Sequence, residues 1–403
     1  MNSTPPSAAG PLAGVRVIEL GQLIAGPFCG KTLGDFGAEV IKIEPPGKGD
    51  PLRKWRLLKD GNSIWWEVQS RNKQSVTLDL TQTEGQDILR RLVKEADVLI
   101  ENFRPGKMEE WGLGYEDLKK INPKLVMVRI SGYGQSGPYR DRPGFGVIAE
   151  SMGGLRYLTA EPGRVPVRVG VSIGDTLAAL HGVIGVLMAL YHRDTKTGGE
   201  GQVIDIALYE SVFNCMESLL PEFSAFGVVR EAAGSALTGI VPSNAYPCRD
   251  GWILIGGNGD GIFKRLMSAI GRDDLATSPD LASNDGRVKR VVEIDSAITA
   301  WTKARDKTDA LKILDQHDVP SGAIYSIADI AADAQYRARE MILNITTRDG
   351  YKVDVPGIVP KLSATPGGIR NTAPRLGEDT EAVLQRAGLK AETIADLRAR
   401  GVI

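Results

Sequence analysis

The feature that most constrains the fold of this chain is a regular alternation of short β-branched runs with segments of helical character. The runs VRVIEL (residues 15–20) and AEVIKIE (38–44) flank a helical segment at 26–37, and together they predict a βαβ unit. The pattern continues with a predicted helix over 87–96 and predicted strands over 96–103 and 124–132. Strands that alternate with helices indicate a mostly parallel sheet covered by helices on both faces, and therefore an α/β fold.

A second, smaller domain is predicted after a shift in composition. A long apolar helix over 175–192 and a strand over 203–208 complete the first part of the chain, and small residues then dominate 227–239. Beyond them come a predicted hairpin over 244–257 and predicted helices near 261–270, 291–304 and 307–317. A hairpin followed by helices in one stretch predicts a smaller α+β domain behind a linker.

Charge and cysteine usage exclude several classes of partner. Lys and Arg number 49 against 50 Asp and Glu, which leaves a net charge of −1, so no global field attracts nucleic acid or anionic lipid. Cys29, Cys215 and Cys248 are far apart in sequence, which argues against a disulfide framework or a zinc ribbon and favours the cytoplasm. The apolar stretch 176–191 is too short to span a bilayer, so we expect a core helix and no membrane association.

Two loops at predicted strand ends could meet an anionic ligand. The turn at 21–30, GQLIAGPFCG, departs from the G-x-G-x-x-G pattern and so disfavours a plain dinucleotide site. Its helix N-terminus could still face a nucleotide-like ligand, and a tight structural turn fits equally well. The loop ENFRPG at 101–106 puts Asn102 and Arg104 at the carboxyl end of a strand, where open α/β sheets bind ligands. A solvated surface arginine is the alternative.

Candidate catalytic groups are few. Asp175 immediately precedes a strongly apolar helix, which favours a helix N-cap, although a nucleophile is also presented at such junctions. The run GGNGDG at 256–261 follows a predicted strand, so its N–H groups could form an oxyanion nest or a simple β-to-α turn. No metal is expected, because the histidines form no metal-ligand pattern; they are His181, His192 and His317.

Taken together, these fragments resemble the class III CoA-transferases, the family of formyl-CoA transferase and carnitine CoA-transferase. The resemblance is collinear from Leu12 to the C-terminus and rests on segments such as LAGVRVIELGQLIAGPFC, RNKQSVTLDL, ADVLIENFRPG, ISGYGQSGP and GVSIGDTLAALHG. It implies CoA transfer from an acyl-CoA to a free carboxylic acid, with coenzyme A as a substrate and no permanently bound cofactor. It also implies an interlocked homodimer.

The resemblance extends the domain prediction to the whole chain. Residues 1–225 are expected to form a large Rossmann-like domain with a mostly parallel sheet, followed by a linker over 226–242 and the small α+β domain over 243–325. The segment 326–403 is expected to return to the large domain.

The resemblance also implies roles for individual residues. Asp175 becomes the nucleophile that forms an aspartyl-CoA thioester. A glycine loop that shields the intermediate from water falls on Gly256, Gly257 and Gly259. The family's CoA contacts fall on Ile24, Ala25, Leu78, Thr81, Asn102, Phe103, Arg104, Pro143, Gly144, Phe145 and Gly146.

Several positions depart from formyl-CoA transferase. Ile24 stands where that enzyme has Gln, and Pro45 and Glu110 stand where it has Arg. Phe145 and Gly146 replace a Tyr-Glu pair. Formyl-CoA and oxalate are therefore not expected as substrates. Candidates for replacement positive charge are Arg71, Lys73 and Lys107.

Two alternatives to transfer follow from the same residues. The racemase branch of the family, α-methylacyl-CoA racemase, needs two opposed acid/base groups, and Phe145 and Gly146 replace its His-Asp pair, which favours the transferase. A non-catalytic CoA-binding module is the third reading. Arg164 and Arg168 could clamp a second carboxylate or be solvated loop cations; with the clamp, succinyl-CoA is the expected donor and a small dicarboxylic acid the acceptor.

Overall fold

The computed structural model describes residues 10–403 and divides the chain into two compact units. The first unit comprises the described residues up to Arg156 together with Arg168–Val228 and Arg337–Ile403. The second comprises Tyr157–Val167 and Val229–Tyr336. The domain limits expected from the sequence, at 225, 243 and 325, stay a prediction about folding units.

The chain alternates strands and helices over most of its length, and the pattern above anticipated most of these elements. The strands are β1 (Arg16–Glu19), β2 (Glu39–Glu44), β3 (Leu58–Lys59), β4 (Asn62–Ser63), β5 (Lys73–Thr77), β6 (Val98–Glu101), β7 (Val126–Ser131), β8 (Val203–Ala207), β9 (Ser243–Cys248), β10 (Gly251–Gly256), β11 (Ser321–Ala323), β12 (Ile342–Thr346) and β13 (Lys352–Pro356).

The helices are α1 (Ala25–Asp35), α2 (Ile64–Gln69), α3 (Thr83–Val93), α4 (Lys107–Glu110), α5 (Tyr115–Ile121), α6 (Gly146–Met152), α7 (Leu155–Leu158), α8 (Ile173–Thr195), α9 (Leu208–Phe213), α10 (Leu219–Phe226), α11 (Asp260–Ala269), α12 (Asp273–Ala276), α13 (Asn284–Lys289), α14 (Val291–Lys303), α15 (Lys307–Gln316), α16 (Ile327–Ala332), α17 (Ala334–Ala338), α18 (Thr380–Arg386) and α19 (Ala391–Ala399). Short 3₁₀ turns occupy Pro51–Lys54 and Pro279–Leu281.

The first unit is built on a six-stranded sheet with the order β5-β2-β1-β6-β7-β8, in which all neighbouring pairs are parallel. Numbered along the chain, this is the 3-2-1-4-5-6 order of the Rossmann fold. The strand order reverses between β1 and β6, and ligands of such sheets bind in the crevice at the carboxyl ends of the strands on either side of that point. The topology therefore indicates where a site should lie.

Helices cover both faces of this sheet because successive side chains of each strand point in opposite directions. In β1, Ile18 packs into a buried cluster with residues of α3, α5 and the C-terminal helices. Its neighbour Val17 packs into a second cluster with residues of α1 and α8. The sequence interpretation of a sheet buried on both sides is confirmed.

Helix α8 begins at Ile173 and packs on α1 and β7 with a face of small residues. At Gly182, an added Cβ would lie 3.2 Å from Cys29 Sγ, so the glycine permits the close approach of α1 and α8. Within residues 10–403, this is the one helix with the length and composition of a membrane span, and 39% of its apolar window is buried. Length and composition alone are weak grounds for a span, and the buried face is that of a core helix.

The C-terminal segment lies along β5, the edge strand of the sheet. Ser75 donates its backbone N–H to the Asp379 carboxylate, and Thr77 donates to Thr380 Oγ1. Helix α18 follows at this edge, and Val383 and Leu384 join the same buried cluster as Ile18.

The second unit contains an antiparallel sheet of order β11-β10-β9, with the predicted hairpin formed by β9 and β10. Ile253 and Ile255 of β10 point into an apolar core that also holds Phe263 of α11. Arg287 is buried in this unit and donates to the carbonyl oxygens of Val241 and Asn258. The loop between β10 and α11, which carries the predicted glycine lid, is thereby held at one end.

Candidate active site at the carboxyl edge of the sheet

Two loops meet at the point where the strand order of the sheet reverses. Gln22, after β1, donates its backbone N–H to Asn102 Oδ1 at 2.8 Å, and Asn102 Nδ2 donates back to Gln22 O at 2.9 Å. The first βα turn and the ENFRPG loop are therefore joined side by side. Both loops were singled out from the sequence, and the structure brings them together.

The first βα turn is held in a conformation that its sequence alone does not favour. Leu23 has a φ of 64°, the left-handed region that a side chain with a Cβ rarely adopts. Its backbone N–H donates to both carboxylate oxygens of Asp50, at 3.1 and 3.2 Å. Gly21 and Gly26 face each other so closely that a Cβ on either would lie 2.9 Å from the other's Cα. The glycines of this turn serve close backbone packing.

A buried group of charges fixes that turn from below. Lys42 Nζ forms ion pairs with Glu19 at 3.0 Å and Asp50 at 2.9 Å, and it donates to Gly21 O at 2.7 Å. Burial alone would raise the pKa of Asp50, but the charge of Lys42 and the backbone N–H donors outweigh it and hold this pKa below its usual value. Asp50 is therefore a fully paired structural anion.

Asp175 lies in the first turn of α8, and the N-cap expectation for it is wrong. The helix begins two residues earlier, so Ser172 is the N-cap residue and Asp175 is the third residue of the helix. Its carboxylate rests against Gly146, the first residue of α6, where an added Cβ would overlap Asp175 Oδ2. A side chain at position 146 would fill the space that the carboxylate occupies.

The surroundings of Asp175 disfavour its ionised form. Burial and the nearby carboxylate of Glu150 raise the pKa of Asp175 to about 6, while the charge of Arg168 opposes them. A shift of this size corresponds to up to about 3 kcal/mol. The positive end of a helix dipole stabilises an exposed first-turn anion by only about 0.3–1 kcal/mol. Desolvation and like charge therefore outweigh the helix terminus at this position.

A cavity of about 680 Å³ opens above these groups, and Asp175 is in its wall. It collects most of the residues that the sequence nominated. The nominated residues that line it are Ile24, Ala25, Asn102, Phe103, Arg104, Pro143, Gly144, Phe145, Gly146, Arg168 and Asp175. Segments far apart in sequence thus share one cavity with the proposed nucleophile.

Other nominated residues lie elsewhere. Leu78 is 2% exposed in the core cluster around Ile18, and Thr81 is exposed and caps its own turn through Asp79. Gly256, Gly257, Gly259 and Arg164 belong to the second unit. Their roles stay predictions.

Two candidates for replacement charge are corrected by the structure. Arg71 is buried and pairs with Asp35 at 2.7 Å, and Lys73 is buried and pairs with Glu19 at 2.8 Å. Both cations are consumed inside the unit, so neither is available to a ligand. Lys107 is exposed and pairs with Glu110 at 2.9 Å.

Sequence reasoning missed several residues of the cavity wall. Trp55 and Trp65 line it with their ring centroids 6.3 Å apart. Arg140 and Arg142 line it as well, and together with Arg104 they border an adjoining cavity of about 550 Å³. The loop that carries both arginines was noted only for its glycines. The signal that could have found them is the pair of cations just before Pro143.

The arrangement suits a long anionic ligand that ends at a nucleophilic carboxylate. The mouth carries exposed arginines, which bind phosphate through a planar fork of donors, and the apolar wall leads inward to Asp175. Among the residues that the structure describes, no group of His, Cys, Asp and Glu could hold a metal ion.

Known proteins resemble this chain over almost its whole length. Residues 12–380 match the model of the CoA-transferase family III. The chain is 48% identical to succinyl-CoA–D-citramalate CoA-transferase of Chloroflexus aurantiacus, with 98% of each chain covered. It is 43% identical to the beta subunit of succinyl-CoA–L-malate CoA-transferase of the same organism, again with 98% of each covered. A solved CAIB/BAIF family protein from Brucella suis superposes with a TM-score of 0.82 at 34% identity, covering 94% of this chain and 100% of that one.

Proposed function

This chain belongs to the CoA-transferase family III, and on that premise we propose that it moves CoA from succinyl-CoA to a small dicarboxylic acid through a covalent thioester on Asp175. Its activity as a CoA-transferase follows from the family and from named CoA-transferases at up to 48% identity. The observation that carries the proposed mechanism is the position of the Asp175 carboxylate, in the wall of a cavity shared with the predicted CoA-binding segments.

The chemistry needs only this carboxylate and the two substrates. The Asp175 carboxylate attacks the thioester carbon of the donor, the C–S bond breaks, and a mixed anhydride and CoA thiolate form. The thiolate then attacks the aspartyl carbonyl, which releases the donor acid and leaves an aspartyl-CoA thioester. The acceptor carboxylate attacks that thioester to give a second anhydride and free thiolate. Attack of the thiolate on the acceptor carbonyl releases the new acyl-CoA and restores Asp175.

The surroundings of Asp175 fit this role. With a pKa of about 6, the carboxylate is ionised at neutral pH and is more basic than an ordinary aspartate, so it is a better nucleophile. The wall around it is formed largely by apolar groups and close-packed glycines. A partly dry site protects an anhydride from hydrolysis. We propose that the loop of Gly256, Gly257 and Gly259 completes that protection.

The phosphates of CoA are proposed to bind at the outer mouth. Arg104, Arg140 and Arg142 are exposed there and carry no carboxylate partner at hydrogen-bond distance among the described residues. Ile24, Ala25 and Asn102 would contact the pantetheine arm along the inner wall. These arginines take the place of Arg71 and Lys73, whose charges are already paired.

The acceptor is proposed to be a dicarboxylic acid of the malate type. Relatives at 48% and 43% identity are named for succinyl-CoA with D-citramalate and with L-malate, and each of these three carries a carboxylate that does not react. Arg168 lines the cavity and is 42% exposed. Arg168→Ala should raise the KM for the acceptor more than it lowers kcat, and Arg164→Ala tests the second candidate; an unchanged acceptor KM in both variants would exclude the clamp.

A racemase is disfavoured by the residues around the cavity. Proton removal and return need two opposed acid/base groups, and no histidine is among the described residues that line the cavity. His181 lies at a different cavity, with its ring nitrogens near Leu177 O and Asn214 Nδ2.

We also propose that two copies of the chain form the expected interlocked homodimer in the cytoplasm. The support is an exposed apolar stripe on α8, opposite its buried face, formed by Leu180, Ile184, Leu187, Met188 and Tyr191. The free thiols of Cys29, Cys215 and Cys248 agree with a reducing compartment. Light scattering on the eluted protein tests the dimer, because Leu187→Arg with Met188→Arg should shift it to the monomer mass.

The decisive test is to trap the aspartyl thioester. Protein incubated with succinyl-CoA is quenched with hydroxylamine or borohydride, digested and mapped by mass spectrometry. The modification should fall on Asp175 and vanish in Asp175→Asn. Asp117 is the matched control, because it is likewise the third residue of its helix, α5, but is exposed and paired with Lys120. Brisk CoA exchange without any adduct at Asp175 would exclude the mechanism.

A further inference from the structure

A buried glutamate beside the proposed nucleophile is not explained by the steps above. Glu150 lies in α6 and is 1% exposed. It follows Gly146 by four residues, so both lie on the same face of the helix. Gly146 contacts the Asp175 carboxylate, and Glu150 Cγ would lie 3.5 Å from a Cβ placed on the neighbouring Gly174. Glu150 is thus built into the contact between α6 and the start of α8.

The pairing of Glu150 is loose and points to arginines. Its Oε2 lies 3.6 Å from Arg156 Nη2 and 3.7 Å from Arg168 Nε. Its Oε1 has no hydrogen-bond partner among the described residues. A buried carboxylate that is only half satisfied is costly to the folded state. Glu150 is therefore a poor candidate for a purely structural anchor.

Arg168 has two carboxylates within reach of its charge but pairs with only one. It lines the cavity that holds Asp175 and acts electrostatically on that carboxylate. Its ion pair within the described residues is nevertheless made with Glu150. The other charges in the described wall of the cavity are Arg56, Arg104, Arg140 and Arg142.

We propose that Glu150 is a positioning residue that holds Arg168 away from Asp175, so that the nucleophile attacks without being tied up in an ion pair. The inference rests on the proposed function, in which Asp175 is the nucleophile. An aspartate paired with arginine is a weak nucleophile, because its charge is already stabilised. Without the Glu150 charge, Arg168 has Asp175 as its nearest anionic partner.

The test is a double-mutant cycle on the first half-reaction, the formation of the aspartyl-CoA thioester in a single turnover. Glu150→Gln keeps the size of the side chain and removes its charge. At about pH 7.5, we expect the rate to fall about tenfold in Glu150→Gln and the acidic limb of the pH profile to move down by about one pH unit. The limb moves down because both the lost anion and the new Arg168 pair favour ionised Asp175.

The cycle separates positioning from structure. In the Arg168→Gln background, Glu150→Gln should change the rate by less than about twofold, and the limb should return toward that of the unsubstituted protein. An equal rate loss in both backgrounds, with the limb unmoved, would overturn the proposal and assign Glu150 a structural role.

Two controls keep the outcomes distinct. Glu67→Gln replaces another buried glutamate of the first unit, one with an unpartnered Oε2 on α2, and it should leave the acidic limb in place. If the unsubstituted protein forms no thioester at all, the proposed function fails. If it forms the thioester and Glu150→Gln behaves like Glu67→Gln, only the role of Glu150 fails.

Discussion

Asp50 and Asp175 are aspartates of the same unit that the fold places in opposite electrostatic surroundings. Asp50 accepts hydrogen bonds from the backbone of Leu23 and Leu52 and pairs with Lys42 at 2.9 Å. Asp175 faces the carboxylate of Glu150, and its nearest cation is drawn to that glutamate. The pKa of Asp50 lies below its usual value, and the pKa of Asp175 is raised to about 6.

The difference shows how one residue type serves two ends. Full pairing makes Asp50 unreactive and lets it hold the strained turn at Leu23, which lines the cavity. Poor pairing leaves Asp175 basic and reactive, at a cost to folding stability. Stability and reactivity are thus assigned to different carboxylates of one sheet edge.

The largest expected effect comes from breaking the paired region. Lys42→Met should lower the free energy of unfolding by about 3–5 kcal/mol, because Glu19 and Asp50 would stay buried without their cation. Urea titration followed by tryptophan fluorescence measures the loss. Lys120→Met, at an exposed pair, is the control; a loss of under about 1 kcal/mol in Lys42→Met would show that the buried pairing contributes little.

The poorly paired region should respond in the opposite direction. The raised pKa of Asp175 means that the folded state opposes its ionisation, a penalty that is complete above about pH 6 and absent below the unfolded pKa near 3.9. Asp175→Asn should therefore raise the free energy of unfolding by up to about 3 kcal/mol at about pH 8, while turnover is lost. The gain should disappear by about pH 4. Equal gains at both pH values would contradict an electrostatic origin.

A change of shape without a change of charge sharpens the comparison. Gly146→Ala should push the Asp175 carboxylate out of place, because the added Cβ would overlap Oδ2. We expect a loss of about 1–3 kcal/mol in stability and a fall of about 100-fold in kcat. Gly368→Ala is the control, since a Cβ there meets nothing within 4 Å. Unchanged kcat in Gly146→Ala would mean that the carboxylate acts from another position.

The smallest effect is expected where an aspartate has the same helix position but lies in water. Asp117→Asn should change the free energy of unfolding by less than about 0.5 kcal/mol and leave turnover unchanged, because its pair with Lys120 is exposed. Chemical denaturation and a standard turnover assay measure both. A loss comparable to that of Lys42→Met would mean that helix position, and not burial, governs these carboxylates.

The sequence by itself determined the α/β class and most of the elements. The βαβ pattern at the start of the chain matches β1, α1 and β2, and the predicted hairpin matches β9 and β10. These features depend on local propensity and on the periodicity of apolar residues, which a chain carries without knowledge of its neighbours. Strand β5 was missed as a strand because its polar residues Lys73 and Ser75 are buried and satisfied by distant partners.

Candidate site residues divide in the same way. The nine family CoA contacts that line the cavity and Asp175 itself followed from motifs, since short loops after strands are local features. Only the tertiary structure decided which charges remain for a ligand. Arg71 and Lys73 were consumed by Asp35 and Glu19, while Arg140, Arg142 and Glu150 reached the cavity or its nucleophile. The physical reason is that ion pairing depends on distances of a few ångströms between residues far apart in sequence, and those distances exist only once the sheet has assembled.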